Sequence, residues 1–314
     1  MARITRPTPD KEVRALQKKF DVAPAGRLFI SVPGADLDLV VTDSDEVEAE
    51  VFVKSQSKNE ALALTDRIKL RMRAVDKQTV RIESKSFYQN GFVGWNTEDA
   101  IQIRLLIRLP RSFNVDIQAT GSQTSITEVD GKISIQLSGG SLRATDLKGR
   151  LEVYGYGCDL DIDQFNGSKL FLVAASSALN ASNLKASQLT VRASSSTSNL
   201  SQIEGNSSLA FNSGEAKVQD IVGSIEAQAQ GCDISFHLNQ FDDARFNVCG
   251  GELDLHLKRQ LKAKLLLEGD TVFLDKSFTF AGEREDDRIE GRLNKGSNLL
   301  HAHAAAGSIR CMPA

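Results

Sequence analysis

The chain has 314 residues, 41% of them hydrophobic, and a formal net charge of −3. That apolar share is enough for a buried core and too small for a membrane protein, and 38 Lys and Arg against 41 Asp and Glu argue against nucleic acid as a partner. Cys158, Cys232, Cys249 and Cys311 are spaced neither as metal pairs nor as a disulfide framework, so they read as reduced thiols of a cytoplasmic protein.

In chain order, residues 1–24 are polar. They contain no apolar stretch and no small-residue cleavage site, so no secretory signal is expected. They read as an N-terminal extension, either without regular structure or as a short amphipathic helix. Residues 25–113 hold the strand-like segments RLFISV, ADLDLVV, EVEAEVFV, RIKLRMRA, TVRIES and IQIRLLIRL, with a short helix expected near Asn59–Asp66. This stretch reads as an N-terminal β cap. No apolar run approaches the length of a transmembrane helix.

Residues 114–260 are dominated by a repeat. A small residue precedes a short apolar strand at Gly121, Gly139, Gly157, Ser176, Ser195, Ser213, Gly231 and Gly250, at intervals of 18 or 19 residues. Apolar positions lie six, four and two residues before this marker, as in Ile133, Ile135, Leu137 and Leu170, Leu172, Ala174. Others lie three, five and eight residues after it, as in Leu160, Ile162 and Phe165. Such alternation is the signature of a strand with one buried face. Ten residues after the marker a second small residue recurs at Gly131, Gly149, Gly167, Ala186, Gly205 and Gly223, as expected where the backbone needs positive φ or close approach. Each unit is therefore strand, corner, strand, corner, with no room for a crossover helix, so equivalent strands must stack in parallel about 4.8 Å apart.

Residues 261–314 return to irregular strand signals, KAKLLLEG and TVFLD, then the acidic loop GEREDDR and a final pair around LLHAHA and GSIRC. They read as a C-terminal β cap, since an open coil would expose a pairing edge. The expected fold is all-β: a single-stranded parallel β-helix, or β-solenoid, of about eight coils of 18–19 residues with β-rich caps, continuous from residue 25.

The units LSGGSLRATDLKG, GYGCDLDIDQFNG, NSGEAKVQDIVG, AQGCDISF and VCGGELDL resemble those of the bacterial "putative adhesin" family of unknown function. The opening GRLFISVPGADLDLVV and the closing AAAGSIRC resemble that family's first and last units, so the likeness spans roughly residues 25–311. It implies a β-solenoid repeat domain and supplies no catalytic residue.

Motifs for phosphate loops, zinc proteases and nucleophile elbows are absent from the sequence. The outward columns are then the place to look for function. Two residues after the marker, Glu215, Asp233 and Glu252 put carboxylates on three consecutive coils; like charges opposite one another repel, so solvent, Lys217 or a bound cation must offset them. Oxygen ligands at that spacing suit Ca²⁺, or acid chemistry of the kind used on carbohydrates. His237 and His256 are placed to stack and to share a metal ion, with Asp254 on the same face. Asn180 and Asn199 are placed for an amide ladder, and with Ser177 and Ser196 they form a candidate interaction face. The favoured function is a non-enzymatic scaffold or adhesin-like interaction protein without a cofactor, binding a protein or polymer or self-associating through its coil ends. The alternative is a carbohydrate-active or cation-binding β-helix.

Overall fold

The structure, a computed structural model, describes residues 11–84 and 102–314, which form two compact units meeting in sequence at Arg143 and Ala144. Both are all-β, apart from one helix.

The first unit begins with β1 (Lys11–Asp21), β2 (Arg27–Ser31), β3 (Ala35–Thr42) and β4 (Glu46–Ser55). The helix α1 (Lys58–Arg67) follows; its N-cap Ser57 accepts from the Glu60 amide, and Glu60 Oε2 accepts from the Gln56 amide, satisfying two orphan donors of the first turn. Next come β5 (Arg71–Ala74), β6 (Thr79–Glu83), β7 (Ile103–Pro110), β8 (Asn114–Thr127) and β9 (Asp130–Tyr156), whose last residues open the second unit. The first unit departs from the sequence reading in three ways. Residues 11–21 are neither helix nor polar extension but a strand, antiparallel to β4 with a bulge between Arg14 and Leu16; residues 1–10 of that extension lie outside the described residues. The segment RIKLRMRA is strand only from Arg71, because α1 runs to Arg67 and Lys69 takes a left-handed φ of 53°. The pairing is mixed. β2 and β3 stack in parallel on β8, at Arg27↔Asn114 and Leu37↔Thr124, and β6 and β7 stack in parallel on β2 and β3. Beyond them β4–β7 and β5–β6 are antiparallel.

The charged strand β1 is held by more than its backbone. Glu50, 5% exposed, accepts from Arg14 Nη1 at 2.6 Å and from Arg108 Nη1 at 2.8 Å. Those bonds hold the Glu50 carboxyl below the usual carboxylate range and the Arg108 guanidinium above its ordinary value.

The second unit continues with β10 (Asp159–Ala175), β11 (Ala178–Val222), β12 (Ile225–Leu238) and β13 (Ala244–Leu257). These pair in parallel at the repeat interval, as in Asp159↔Ala178, Ser207↔Ile225 and Ile225↔Ala244. The core is the set of inward columns, among them Leu170, Leu189, Ile225 and Ala244, each at most 3% exposed. The C-terminal strands are β14 (Ala263–Leu274), β15 (Phe280–Arg284), β16 (Arg288–Leu293) and β17 (Leu299–Pro313). LLHAHA and GSIRC are not two strands but the single β17, which pairs in parallel with β13 on one side (Ala244↔Leu300) and with β14 on the other (Leu265↔Leu300). Antiparallel β16 and β15 follow outside β14. The outermost strand, β15, has only five residues and includes Glu283 and Arg284, features that discourage edge-to-edge pairing.

The corners explain the repeat. All eight marker residues, Gly121 through Gly250, have φ between 50° and 71°, the left-handed region that glycine enters freely and serine enters at some strain. A second left-handed position, not visible as a glycine column, is filled by Glu128, Asp146, Gln164, Asn183, Gln202 and Asp220, with φ of 50–63°. The small residue ten after the marker has a different reason: a Cβ on Gly205 would lie 1.7 Å from the Ala186 carbonyl oxygen, and one on Gly167 would lie 2.1 Å from that of Gly149.

Candidate functional site

The second strand of each coil in the second unit turns its outward residues to solvent. Glu215 faces Asp233 in register, and one layer on, Glu252 and Asp254 face Ser308 and Arg310 of β17. The charge is answered from within the chain. Arg310 Nη2 donates to Glu252 Oε2 at 2.7 Å and to Asp254 Oδ2 at 2.9 Å, while its Nε donates to Asp254 Oδ1 at 2.7 Å. Its guanidinium is raised further above its ordinary value, first by the hydrogen bond with Asp254. Asp233 Oδ1 accepts from the Glu252 amide at 2.9 Å. Only Glu215, of the three column carboxylates, makes no hydrogen bond or ion pair among the described residues. The expected cation ladder is therefore replaced in its upper layers by an arginine, and among the described residues no three His, Cys, Asp or Glu side chains group as a metal site. The sequence could not show this, because Arg310 comes from β17, 56 residues beyond its register partner Asp254. The stripe and Arg310 line a shallow groove of about 400 Å³ together with Thr197, Asn199 and Lys217.

Asn199 Nδ2 donates to Asn180 Oδ1 at 3.0 Å, the amide rung expected from the spacing. Ser177 and Ser196 do not belong to that face. They are 7% and 5% exposed and sit inside the corner, where Ser177 Oγ accepts from the Cys158 amide and Ser196 Oγ accepts from the Ser177 amide. Each hydroxyl donates to a backbone carbonyl, Ala175 and Ser194 respectively. The residue after a left-handed corner points inward, so these serines satisfy buried backbone instead of meeting a partner.

His237 and His256 stack, with ring centroids 4.2 Å apart and planes 11° apart. Nitrogen lone pairs lie in the ring planes, so parallel rings do not aim at a common ion between them. His237 Nδ1 is buried and has no hydrogen-bond partner, and burial, with His256 and Lys217 adding to it, holds the imidazole below its ordinary value. Burial raises the thiols of Cys158 and Cys232 and pushes Cys311 up to about 12, so these three stay protonated and are poor nucleophiles.

The first strand of each coil presents a different outward face, which sequence reading did not single out. Tyr154 and Phe171 have ring centroids 5.6 Å apart, and the Arg192 guanidinium lies 5.6 Å from the Phe171 ring centroid. From Arg192 a groove of about 410 Å³ runs past Asn212, Gln228, Gln230 and Asn247. The signal was available: the column three before the marker reads Tyr154, Val173, Arg192, Ala210, Gln228, Asn247.

Residues 26–311 match the model of the family described as Toastrack DUF4097. The chain belongs to the Toastrack family. None of the curated proteins matches it. Solved structures similar to this Toastrack chain include a "putative adhesin" from Parabacteroides distasonis, 12% identical, covering 94% of this chain and 96% of that one with a TM-score of 0.42. A "putative lipid binding protein" from the same species is 14% identical, with the same coverages and a TM-score of 0.35. A "putative cell adhesion protein" from Clostridium sporogenes is 12% identical and covers 97% and 100%, with a TM-score of 0.23. Likenesses this distant do not speak to activity. No helix among the described residues is long and apolar enough to cross a membrane.

Proposed function

We propose that the second unit is a non-enzymatic interaction scaffold, a solenoid of stacked 18- to 19-residue coils whose outward faces bind a protein or polymer partner. The observation that carries this reading is the shortness of the links. Between Tyr156 and Ala244 successive strands are joined by two, two, two and five residues. Catalytic groups concentrate on loops held by a rigid scaffold, and these coils carry none large enough to enclose a substrate. Of the outward carboxylates, Glu252 and Asp254 are engaged by Arg310 and Asp233 by a backbone amide, which leaves Glu215 without a free second carboxylate of the kind that paired acid–base hydrolysis uses.

The test is a photo-crosslinking amino acid placed at Thr197, at Ala210 or, as a control, at Lys276, in protein incubated with extract of the native cells. Adducts from Thr197 or Ala210 that are absent at Lys276 are expected. Turnover of a polysaccharide substrate that is abolished by the pair Glu215→Gln and Asp233→Asn would overturn the scaffold reading.

A further inference from the structure

We infer that the groove on the first-strand face, from Arg192 to Asn247, is a binding site for an extended acidic polysaccharide, with Arg192 as the residue that takes its carboxylate. This rests on the scaffold reading and names the partner class for one of its faces.

The starting observation is an inventory of unused polar groups. On the second-strand face several side chains satisfy one another, through the Asn180–Asn199 rung and the Arg310 fork. In the first-strand groove they do not. Among the described residues Arg192 has no carboxylate partner, and the side-chain amides of Gln228, Gln230 and Asn247 make no hydrogen bond within the chain. Gln228 and Asn247 stand in register on adjacent strands, as do Val173 and Arg192. The groove therefore carries donors and acceptors on four neighbouring strand layers, Arg192, then Asn212 beside Ala210, then Gln228 and Gln230, then Asn247, with one uncompensated cation near one end and the Tyr154–Phe171 aromatic pair beside it.

The ligand class follows from that chemistry. A planar guanidinium with a free fork is suited to bidentate recognition of a carboxylate. Side-chain amides, which both donate and accept, match vicinal hydroxyls. Aromatic rings beside them offer an apolar platform to the C–H face of a sugar. Sugar units in an extended chain recur at a spacing close to that of neighbouring strands, about 4.8 Å here, so successive units would meet successive coils. A peptide is disfavoured because the strands beneath the groove already pair with neighbours on both sides, leaving no backbone edge for strand addition. Nucleic acid would need several cations where the groove offers one.

The test is isothermal titration of the full chain with polygalacturonate oligomers and with neutral dextran oligomers of similar length. Binding of polygalacturonate is expected, weakened about tenfold or more by Arg192→Ala through loss of charge-assisted hydrogen bonds, and weakened less by the pair Gln228→Ala and Asn247→Ala. Glu215→Gln, on the other strand's face, is expected to leave it unchanged. Arg192 is exposed, so an unchanged melting temperature in Arg192→Ala separates lost binding from lost fold. Three results would overturn the assignment: no heat with polygalacturonate, equal affinity for dextran, or affinity unaffected by Arg192→Ala. A crosslinked protein partner together with no polysaccharide binding would remove this assignment while leaving the scaffold reading intact.

Discussion

The two outward faces of the repeat are built from the same coils and treat their polar side chains in opposite ways. On the second-strand face, Arg310 binds Glu252 and Asp254 and Asn199 binds Asn180, with Glu215 the column carboxylate left unpaired among the described residues. On the first-strand face, Arg192 and its neighbouring amides are left to solvent beside an aromatic pair. Polar groups that satisfy each other contribute to the fold; polar groups held in place and unsatisfied are available to a ligand. A row of charges in a sequence is thus a weaker pointer to function than a row of amides with nothing to bind.

Substitutions distinguish the two faces experimentally. The largest effect is expected where polarity is internal. Ser196→Ala would leave the buried Ser177 amide without its acceptor and should lower stability in urea denaturation by about 1–3 kcal/mol. Ser198→Ala, two residues on, should be neutral or stabilising, because Ser198 is 1% exposed and its buried hydroxyl is already without a partner. Equal destabilisation by both would mean that corner hydrogen bonds are not what holds this region. A smaller contrast is expected between two arginines. Arg310→Ala should lower stability by up to about 1 kcal/mol, less in high salt, as exposed ion pairs do; Arg192→Ala should leave the melting temperature where it is. If the two variants melted alike, the distinction between engaged and available groups would fail.

Smaller still is the effect of titrating His237. Because the His237 imidazole is held below its ordinary value of 6.5, the folded state favours the neutral ring. Its contribution to stability is complete above pH 6.5 and is lost as pH falls through that value towards the lowered one. The nearby charges that set this balance are His256 and Lys217, which oppose protonation, and Asp220, which favours it. His237→Gln should flatten the stability profile between pH 7 and 5 in thermal melts; an unchanged slope would show that the pair is not coupled to folding.

Much of the repeat was legible because each column answers to one physical demand. Strand alternation revealed the inward positions, and the left-handed corner selected glycine often enough to set the interval. The second left-handed corner was hidden because Asp, Asn, Gln and Glu occupy it, and their polar character reads as ordinary surface. Ser177 and Ser196 were misplaced for a related reason. Serine is common on surfaces, and only the corner geometry turns these two inward. β1 was missed because its apolar residues are sparse and its partner β4 lies well along the chain, as in the Arg14–Glu50 contact, 36 residues apart. Arg310 was missed because β17 returns to β13 across a long sequence gap, and no periodicity carries across such a gap.

That return has a kinetic side. Strand β13 takes as its neighbour a segment 56 residues further along, Ala244 meeting Leu300. At a synthesis rate of about 5–20 residues per second, its edge waits roughly 3–11 s on the ribosome before its partner has been made. Throughout that interval the nascent chain displays an unpaired parallel edge, and its protection from aggregation rests on whatever temporarily covers it.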